Sequence, residues 1–320
     1  MPYDLIIIGS GAAGLGAAIY SGRYRLRTLI IGQDFGGEAA KAGAIENYPG
    51  FKSIDGYELM NLMKQQAASL KIELLEAEVT KIVRQEHCFM VAAGKKIYQA
   101  ITIILAVGAK HRRLNLPNEK ELTGKGVHYC VTCDGPVYTG KTIAMVGGGD
   151  TAVKGAVMAA DYAKKIFLIV REKKLRAEPV NLERLKKLGN KLEIIQETEI
   201  KEIVGRDKLE KIILSRPYQE SAELKIDGLF VEIGSIPNVG LAKALGAILD
   251  EQGYIKVDNL MRTNLDGVFA AGDAVNHFGP FKQAITSAAM GAVAATSAYN
   301  DFKLHGELCR WHARPAKLKN

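Results

Sequence analysis

The stretch "YDLIIIGSGAAGLGAAIYSGRYRLRTLIIG", residues 3–32, decides the fold. An apolar run ending at Ile8 reads as a strand and is cut off by Gly9. Gly9, Gly11 and Gly14 then stand in GxGxxG spacing before a small-residue segment of helical character. The first glycine permits a tight turn, the second lets the backbone approach a pyrophosphate, and the third lets helix and strand pack closely. The helix N-terminus then faces the phosphates. A second strand is predicted at Thr28 to Ile31, and strand, glycine turn, helix and strand in that order predict a dinucleotide site. The acidic residue expected at the end of the second strand is displaced past Gly32 and Gln33, which leaves Asp34 as the ribose partner.

A second copy begins at "KTIAMVGGGDTAVKGAVMAADYAKKIFLIVRE", residues 141–172. A strand over Thr142 to Val146 runs into Gly147, Gly149 and Ala152, then a helix, then a strand over Ile166 to Val170; alanine at the third position still allows close packing. Each copy is followed by a polar, β-rich stretch and then by an apolar strand, ending near Gly108 in "ITIILAVGA" and near Gly234 in "DGLFVEIGS". Two copies of one architecture suggest two dinucleotides. A third segment, "TNLDGVFAAGDAVNHFGPFKQAITSAAMGAVAA", ends an apolar strand at Gly272 and Asp273 and continues as helix-compatible residues from Gln283. A carboxylate beside a glycine turn suits polyol hydroxyls, and a helix start there suits the pyrimidine edge of a flavin; the plainer alternative is a strand-ending turn. Pro117 and Pro237 read as matching linkers. The expected fold is α/β with two Rossmann-like, three-layer ββα dinucleotide domains, the second inserted in the first. The first domain covers 1–113 and 244–320, and the insertion covers 114–243.

A chain of 320 residues, 48% hydrophobic and 24% charged, fits a globular protein of two domains. The N-terminus has Asp4 where a signal peptide is basic, and no run of apolar residues reaches a bilayer span, so a cytoplasmic protein is expected. The net charge of +8 is spread along the chain with only short clusters, Lys110–Arg113 and Lys173–Lys174, which argues against nucleic acid as a partner.

Cys130 and Cys133 lie in "HYCVTCDGPVY", residues 128–138. They could be a redox pair, half of a metal site or two inert buried thiols. A structural zinc site needs four ligands, whereas here the remaining cysteines, Cys88 and Cys309, lie far off in sequence and His128 leaves no evident fourth ligand. No metal is therefore expected. A dithiol in a chain with two dinucleotide sites has a natural chemistry: a flavin takes hydride from a nicotinamide, reduces the disulfide, and the dithiol reduces a further disulfide by exchange. Asp134 follows the second cysteine and suits acid/base work or, more plainly, a turn before Gly135 and Pro136.

With "GSGAAG", "GGEAAKAGAIENYPGF", "CVTCDG", "GGGDTAV", "LFVEIGSIPN" and "GVFAAGDA…KQAITSA" in this order, the chain resembles the low-molecular-weight thioredoxin reductases of bacteria and archaea from about residue 3 to about residue 305. The resemblance implies an FAD domain built from both chain ends, an inserted NAD(P)H domain bearing the cysteines, a homodimer, and no membrane association. Cys133 would face the flavin, Cys130 would attack a thioredoxin-like protein, and Asp134 would be the acid/base residue. FAD contacts are implied at Gly9, Ser10, Gly11, Ala12, Ala13 and Gly14, then at Asp34, Gly36, Gly37, Glu38 and Asn47. Further contacts are implied at Gly108, Gly272, Asp273, Lys282, Gln283 and Ala284. The nicotinamide coenzyme would meet Gly147, Gly149, Asp150, Thr151, Ala152 and Gly234, with Arg171, Glu172 and Arg176 reading its ribose. Disulfide and nicotinamide would have to reach one flavin in turn, which implies rotation of the inserted domain about its linkers.

The family's basic HRRxxxR is here "VREKKLR", residues 170–176. Arg171 and Arg176 remain, while Glu172 stands where a second arginine is usual. An acidic residue suits a free 2′-hydroxyl and repels a 2′-phosphate, and Lys173 and Lys174 partly offset it, so the balance tips toward NADPH over NADH. Another donor, such as ferredoxin, or oxidation of small dithiols with oxygen is the alternative, and a flavin-bearing redox sensor is the reading from a different class. Glu38 and Lys282 also replace the usual glutamine and arginine, and the tail from residue 304, with Trp311, extends past the family's usual end as an expected mobile terminus.

Overall fold

The computed structural model describes residues 2–86, 88–279 and 281–312, with side chains as far as residue 304. The chain divides into two compact units, Met1–Lys110 with Pro237–Asn320, and His111–Ile236. The expected exit of the insertion near residue 243 falls inside the helix Gly240–Leu245, whose Ala242 is buried in the core of the first unit, so the crossing comes earlier.

In the first unit the strand Tyr3–Ile8 lies at the centre of a seven-stranded sheet. It pairs in parallel with Thr28–Gly32 on one side and with Lys96–Leu105 on the other. Lys96–Leu105 is long enough to serve two partners along its other edge. Its first half pairs antiparallel with Cys88–Ala93, and its last residues pair in parallel with Val268–Ala270 from the far end of the chain. Leu5, Ile6 and Ile7 are all fully buried, the pattern of a parallel strand covered on both faces.

Small residues bring the helix Ala12–Arg23 against the C-terminal helix Ala284–His312 with almost no side chain between them. A Cβ on Gly16 would lie 2.4 Å from the Ala288 carbonyl oxygen, and one on Gly291 would lie 2.0 Å from that of Ala13. Farther along, Tyr24 stacks on Tyr299 with ring centroids 4.5 Å apart. The C-terminal helix continues to His312, so the start of the sequence tail is helical; the side chains of Cys309 and Trp311 and the segment 313–320 lie outside the described residues. Among the described residues no helix is long and apolar enough to cross a membrane.

The second unit repeats the plan. Thr142–Val146, Lys165–Ile169 and Gly228–Val231 belong to a five-stranded parallel sheet, and Ile200–Gly205, Leu209–Tyr218 and Ser221–Lys225 form a three-stranded antiparallel sheet. Period-2 alternation sends the parallel strands' side chains into two cores. Ala144, Val146, Leu229 and Val231 face Ile203, Ile212 and Leu214 of the antiparallel sheet, whereas Ile143, Met145 and Phe230 face the helix Asp150–Ala159.

At the crossings, Gly108 and Gly234 both have positive φ, +62° and +95°. The Asn238 amide donates to the Gly108 carbonyl in one unit, and the Arg112 amide donates to the Gly234 carbonyl in the other. Glu119, 2% exposed, accepts the amides of Leu114 and Asn115 and the Tyr129 hydroxyl, fixing the start of the second unit to the residue before Cys130. Burial, with Glu119 adding, pushes the Tyr129 hydroxyl up to about 12, so it stays a donor.

Candidate functional site

The first unit's glycine turn leaves its helix without a side-chain cap at Gly11, in contrast to the helix Gly56–Ser69, where Asp55 accepts the Tyr57 and Glu58 amides. Uncapped first-turn amides are ready partners for a phosphate. Gly9 has φ +111°, and a Cβ there would sit 2.1 Å from the Ala106 carbonyl oxygen, so only glycine fits. A Cβ on Gly11 would meet nothing closer than the Gly36 carbonyl at 3.6 Å, so the space beside it is bordered by the backbone of Gly36 and Gly37. These features fit the pyrophosphate of a dinucleotide. Ser10 is buried and donates to the Asp34 carbonyl, while the Gly36 amide donates to the Ser10 carbonyl; Ala12 and Ala13 begin the helix. The Asp34 side chain is exposed, and Glu38 is paired with Lys41 at 3.1 Å.

Asp273 follows Gly272, whose φ is +83°, and accepts a hydrogen bond from Ser287 on the C-terminal helix at 3.0 Å. Burial raises its carboxyl above the usual range, and the Ser287 hydroxyl and Lys282 partly offset the effect. Lys282 directs its ammonium to the Val275 and His277 carbonyls and lies over the Tyr254 ring at 4.6 Å. Burial lowers its pKa. Asn47 donates to the Gln283 side chain at 3.0 Å, so these two sequence candidates come together just before Ala284 starts the helix.

In the second unit the same construction recurs. A Cβ on Gly147, φ +146°, would lie 2.2 Å from the Glu232 carbonyl oxygen, whereas nothing lies within 4 Å of the Cβ position on Gly149. The helix starting at Asp150 and Thr151 has no side-chain cap at Gly149, and Ala152 is fully buried. Asp150 turns away from a capping role: its Oδ1 accepts the Glu178 amide and the Asn181 side-chain amide. The Arg176 amide donates to the Gly148 carbonyl, so the C-terminal end of the loop 171–178 is tied at two points to the glycine turn and the helix start that follows it. Arg171 lies 3.4 Å from Glu172 and Lys173 lies 3.9 Å from Glu197, all exposed side chains.

Cys130 and Cys133 are bonded to each other, with their Cα atoms 5.4 Å apart. Cys130 is the N-cap of the short helix Val131–Asp134, and its Sγ accepts the Cys133 amide at 3.1 Å. The amide is placed to stabilise negative charge developing on Cys130 Sγ when the disulfide opens. Val131 is buried, and a Cβ on Gly155 would lie 3.0 Å from its side chain, so the disulfide turn rests on the helix that starts at the glycine turn. Asp134 lies 3.1 Å from His128 Nδ1. Among the described residues no group of three or more metal-ligating side chains occurs.

Ser287, Tyr254 and Asn181 were not singled out by the sequence. The "GD" of Gly272–Asp273 had no local mark for its partner fourteen residues on, and Tyr254 and Asn181 reach their partners only through tertiary folding.

The model of the pyridine nucleotide-disulphide oxidoreductase family matches residues 3–295. The chain is 38% identical over 299 residues to a thioredoxin reductase of Treponema pallidum, covering 92% of this chain and 96% of that protein. In three dimensions it is similar to Lactococcus lactis thioredoxin reductase in a conformation designated FR, with a TM-score of 0.89 and 34% identity over 94% of this chain and 99% of that one. It is also similar to the T. acidophilum thioredoxin reductase, with a TM-score of 0.87 and 34% identity over 94% and 98% of the two chains.

The raised carboxyl of Asp273 has a consequence for stability. Its contribution is fully present below the unfolded carboxyl value, about 3.9, and is lost as pH rises through the higher folded value. In cofactor-free protein, Asp273→Asn is expected to resist urea better than the parent at pH 7, the difference vanishing as pH falls below about 4. Equal urea midpoints at both pH values would contradict this account.

Proposed function

Because the chain belongs to the pyridine nucleotide-disulphide oxidoreductase family, we propose that it is a thioredoxin-disulfide reductase, working as a homodimer with FAD in the first unit and NAD(P)H in the second. The observation that carries the reading is the Cys130–Cys133 disulfide on a turn supported by the helix of a dinucleotide fold. Bound FAD supplies transfer of a nicotinamide's two electrons to that disulfide. Gly9, Gly11, Gly14 and the uncapped helix start hold its pyrophosphate, and Asp273 takes the polyol hydroxyls.

The dithiol then reduces the acceptor in two exchanges. Cys130 Sγ, whose developing negative charge the Cys133 amide stabilises as its proton is removed, attacks one sulfur of the acceptor disulfide; a mixed disulfide forms and the acceptor's other sulfur leaves with the electron pair. Cys133 then attacks Cys130 Sγ, the enzyme disulfide re-forms, and the acceptor departs as a dithiol with two electrons and two protons. Asp134 transfers protons in these steps. The cysteines and the coenzyme turn belong to one unit and the flavin turn to the other, so the second unit rotates about its two connections to present each in turn.

NADPH is the favoured donor. Arg171 already pairs with Glu172, which leaves Lys174 and Arg176 as exposed cations for a 2′-phosphate. Exposed pairs such as Arg171–Glu172 are weak, so removing the acid alters recognition more than folding.

Cys130→Ser is expected to keep flavin reduction by the donor and to lose thioredoxin reduction; retained thioredoxin reduction overturns the assignment. Glu172→Ala is expected to raise kcat/KM for NADPH up to about tenfold with little change for NADH, and steady-state kinetics with both coenzymes check it. Locking the two connections with an engineered disulfide is expected to stop turnover without releasing FAD, and full turnover in the locked protein contradicts the rotation.

A further inference from the structure

His128 ends the short strand Val127–His128, two residues before Cys130, and is 9% exposed. Its Nδ1 is 3.1 Å from Asp134 Oδ2, and its Nε2 is 2.7 Å from the Tyr138 hydroxyl. The imidazole stacks on Phe230 with centroids 5.4 Å apart, and Tyr138 meets the same Phe230 edge-on. A Cβ on Gly228 would lie 2.6 Å from the Tyr138 ring, so the tyrosine fits there only because residue 228 has no side chain. Ring, hydroxyl and carboxylate are thus held by a packed core on one side, while the Asp134 side chain remains 41% exposed on the other.

The direction of the hydrogen bonds follows from chemistry. Burial, with Asp134 and Asp227 adding, raises the Tyr138 pKa, so its hydroxyl keeps its proton. An ionised Asp134 carboxylate can only accept, so the neutral imidazole carries its proton on Nδ1 and donates it to Asp134; Nε2 is then the acceptor, and the Tyr138 hydroxyl donates to it. The chain runs Tyr138 O–H to His128 Nε2, then His128 Nδ1–H to Asp134 Oδ2.

We infer that His128 is a positioning residue for disulfide exchange, holding Asp134 by Oδ2 so that Oδ1 is the oxygen that takes and returns the thiol proton. The inference rests on the proposed acid/base role of Asp134. As Cys130 attacks the acceptor disulfide, its S–H proton passes to Oδ1; the acceptor sulfur leaves with the electron pair of the broken bond and collects that proton. The Cys133 proton follows the same route as Cys133 attacks Cys130 Sγ. Asp134 ends each exchange as it began, and His128 neither gains nor loses a proton. Without the Nδ1–H bond the half-exposed carboxylate would rotate and divide its proton traffic between two oxygens.

A merely structural histidine would matter through Tyr138 instead, and two variants separate the roles. In His128→Asn the amide N–H stands near the Nδ1 position and reaches Asp134. In His128→Gln it stands near the Nε2 position and serves Tyr138. Each protein, reduced without oxygen by dithionite, is mixed with dithiobis-nitrobenzoate and, separately, with an oxidised bacterial thioredoxin. His128→Asn is expected to exchange within about threefold of the parent, and His128→Gln about tenfold or more slower, with the melting temperature and flavin reduction by the donor unchanged. His128→Gln exchanging at the parent rate, or His128→Asn slowed as much as His128→Gln, overturns the inference. A parent protein that reduces the small disulfide but not thioredoxin would count against the proposed acceptor alone, because the contrast between the two variants would still be read with the small disulfide.

Discussion

Two carbonyl oxygens, of Ala106 and Glu232, occupy the places where a β-carbon on Gly9 and on Gly147 would have to be, at 2.1 and 2.2 Å. This close approach sets the end of each first strand against the end of the strand beside it. Each following helix then begins directly at the strand end, with a glycine N-cap and no side chain over its first amides. The space above those amides is a consequence of packing, because any side chain at Gly9 or Gly147 would push the strand ends apart. The phosphate-binding role proposed for both units therefore depends on a steric constraint met twice in one chain.

The disulfide inherits its position from the same construction. Val131 packs against Gly155 on the helix that starts at the second glycine turn, and the Cys133 amide is directed at Cys130 Sγ. The turn is seated on that helix through Val131, while Asp134, the residue proposed to move protons, is held from the core side by His128. Packing supplies the geometry, and a backbone amide and one carboxylate supply the chemistry.

Much of this was legible in the sequence because it is local. The glycine turns, the apolar strands Tyr3–Ile8 and Thr142–Val146, and the C-x-x-C pair are each written in a few consecutive residues. The exit of the second unit was read too late because the helix Gly240–Leu245 buries Ala242 in the first unit's core, a contact no local pattern announces. Nothing local in the sequence marks Glu119, whose burial is allowed by two backbone amides and the Tyr129 hydroxyl. The partners of Asp273 and Asp150, Ser287 and Asn181, were hidden for the same reason: a serine or asparagine on a helix becomes informative only when the fold brings a carboxylate to it.

The proposed electron path runs from a nicotinamide donor through one flavin to the Cys130–Cys133 pair. The most direct measurement mixes the FAD-bound protein anaerobically with NADPH and, in a second cell, with NADH, follows the flavin absorbance, and then adds oxidised thioredoxin. Rapid bleaching is expected, faster with NADPH, followed by recovery of the colour when thioredoxin is added. A flavin that neither coenzyme bleaches would contradict the nicotinamide site and point to another electron carrier, and a bleached flavin that thioredoxin does not restore would contradict the disulfide's role.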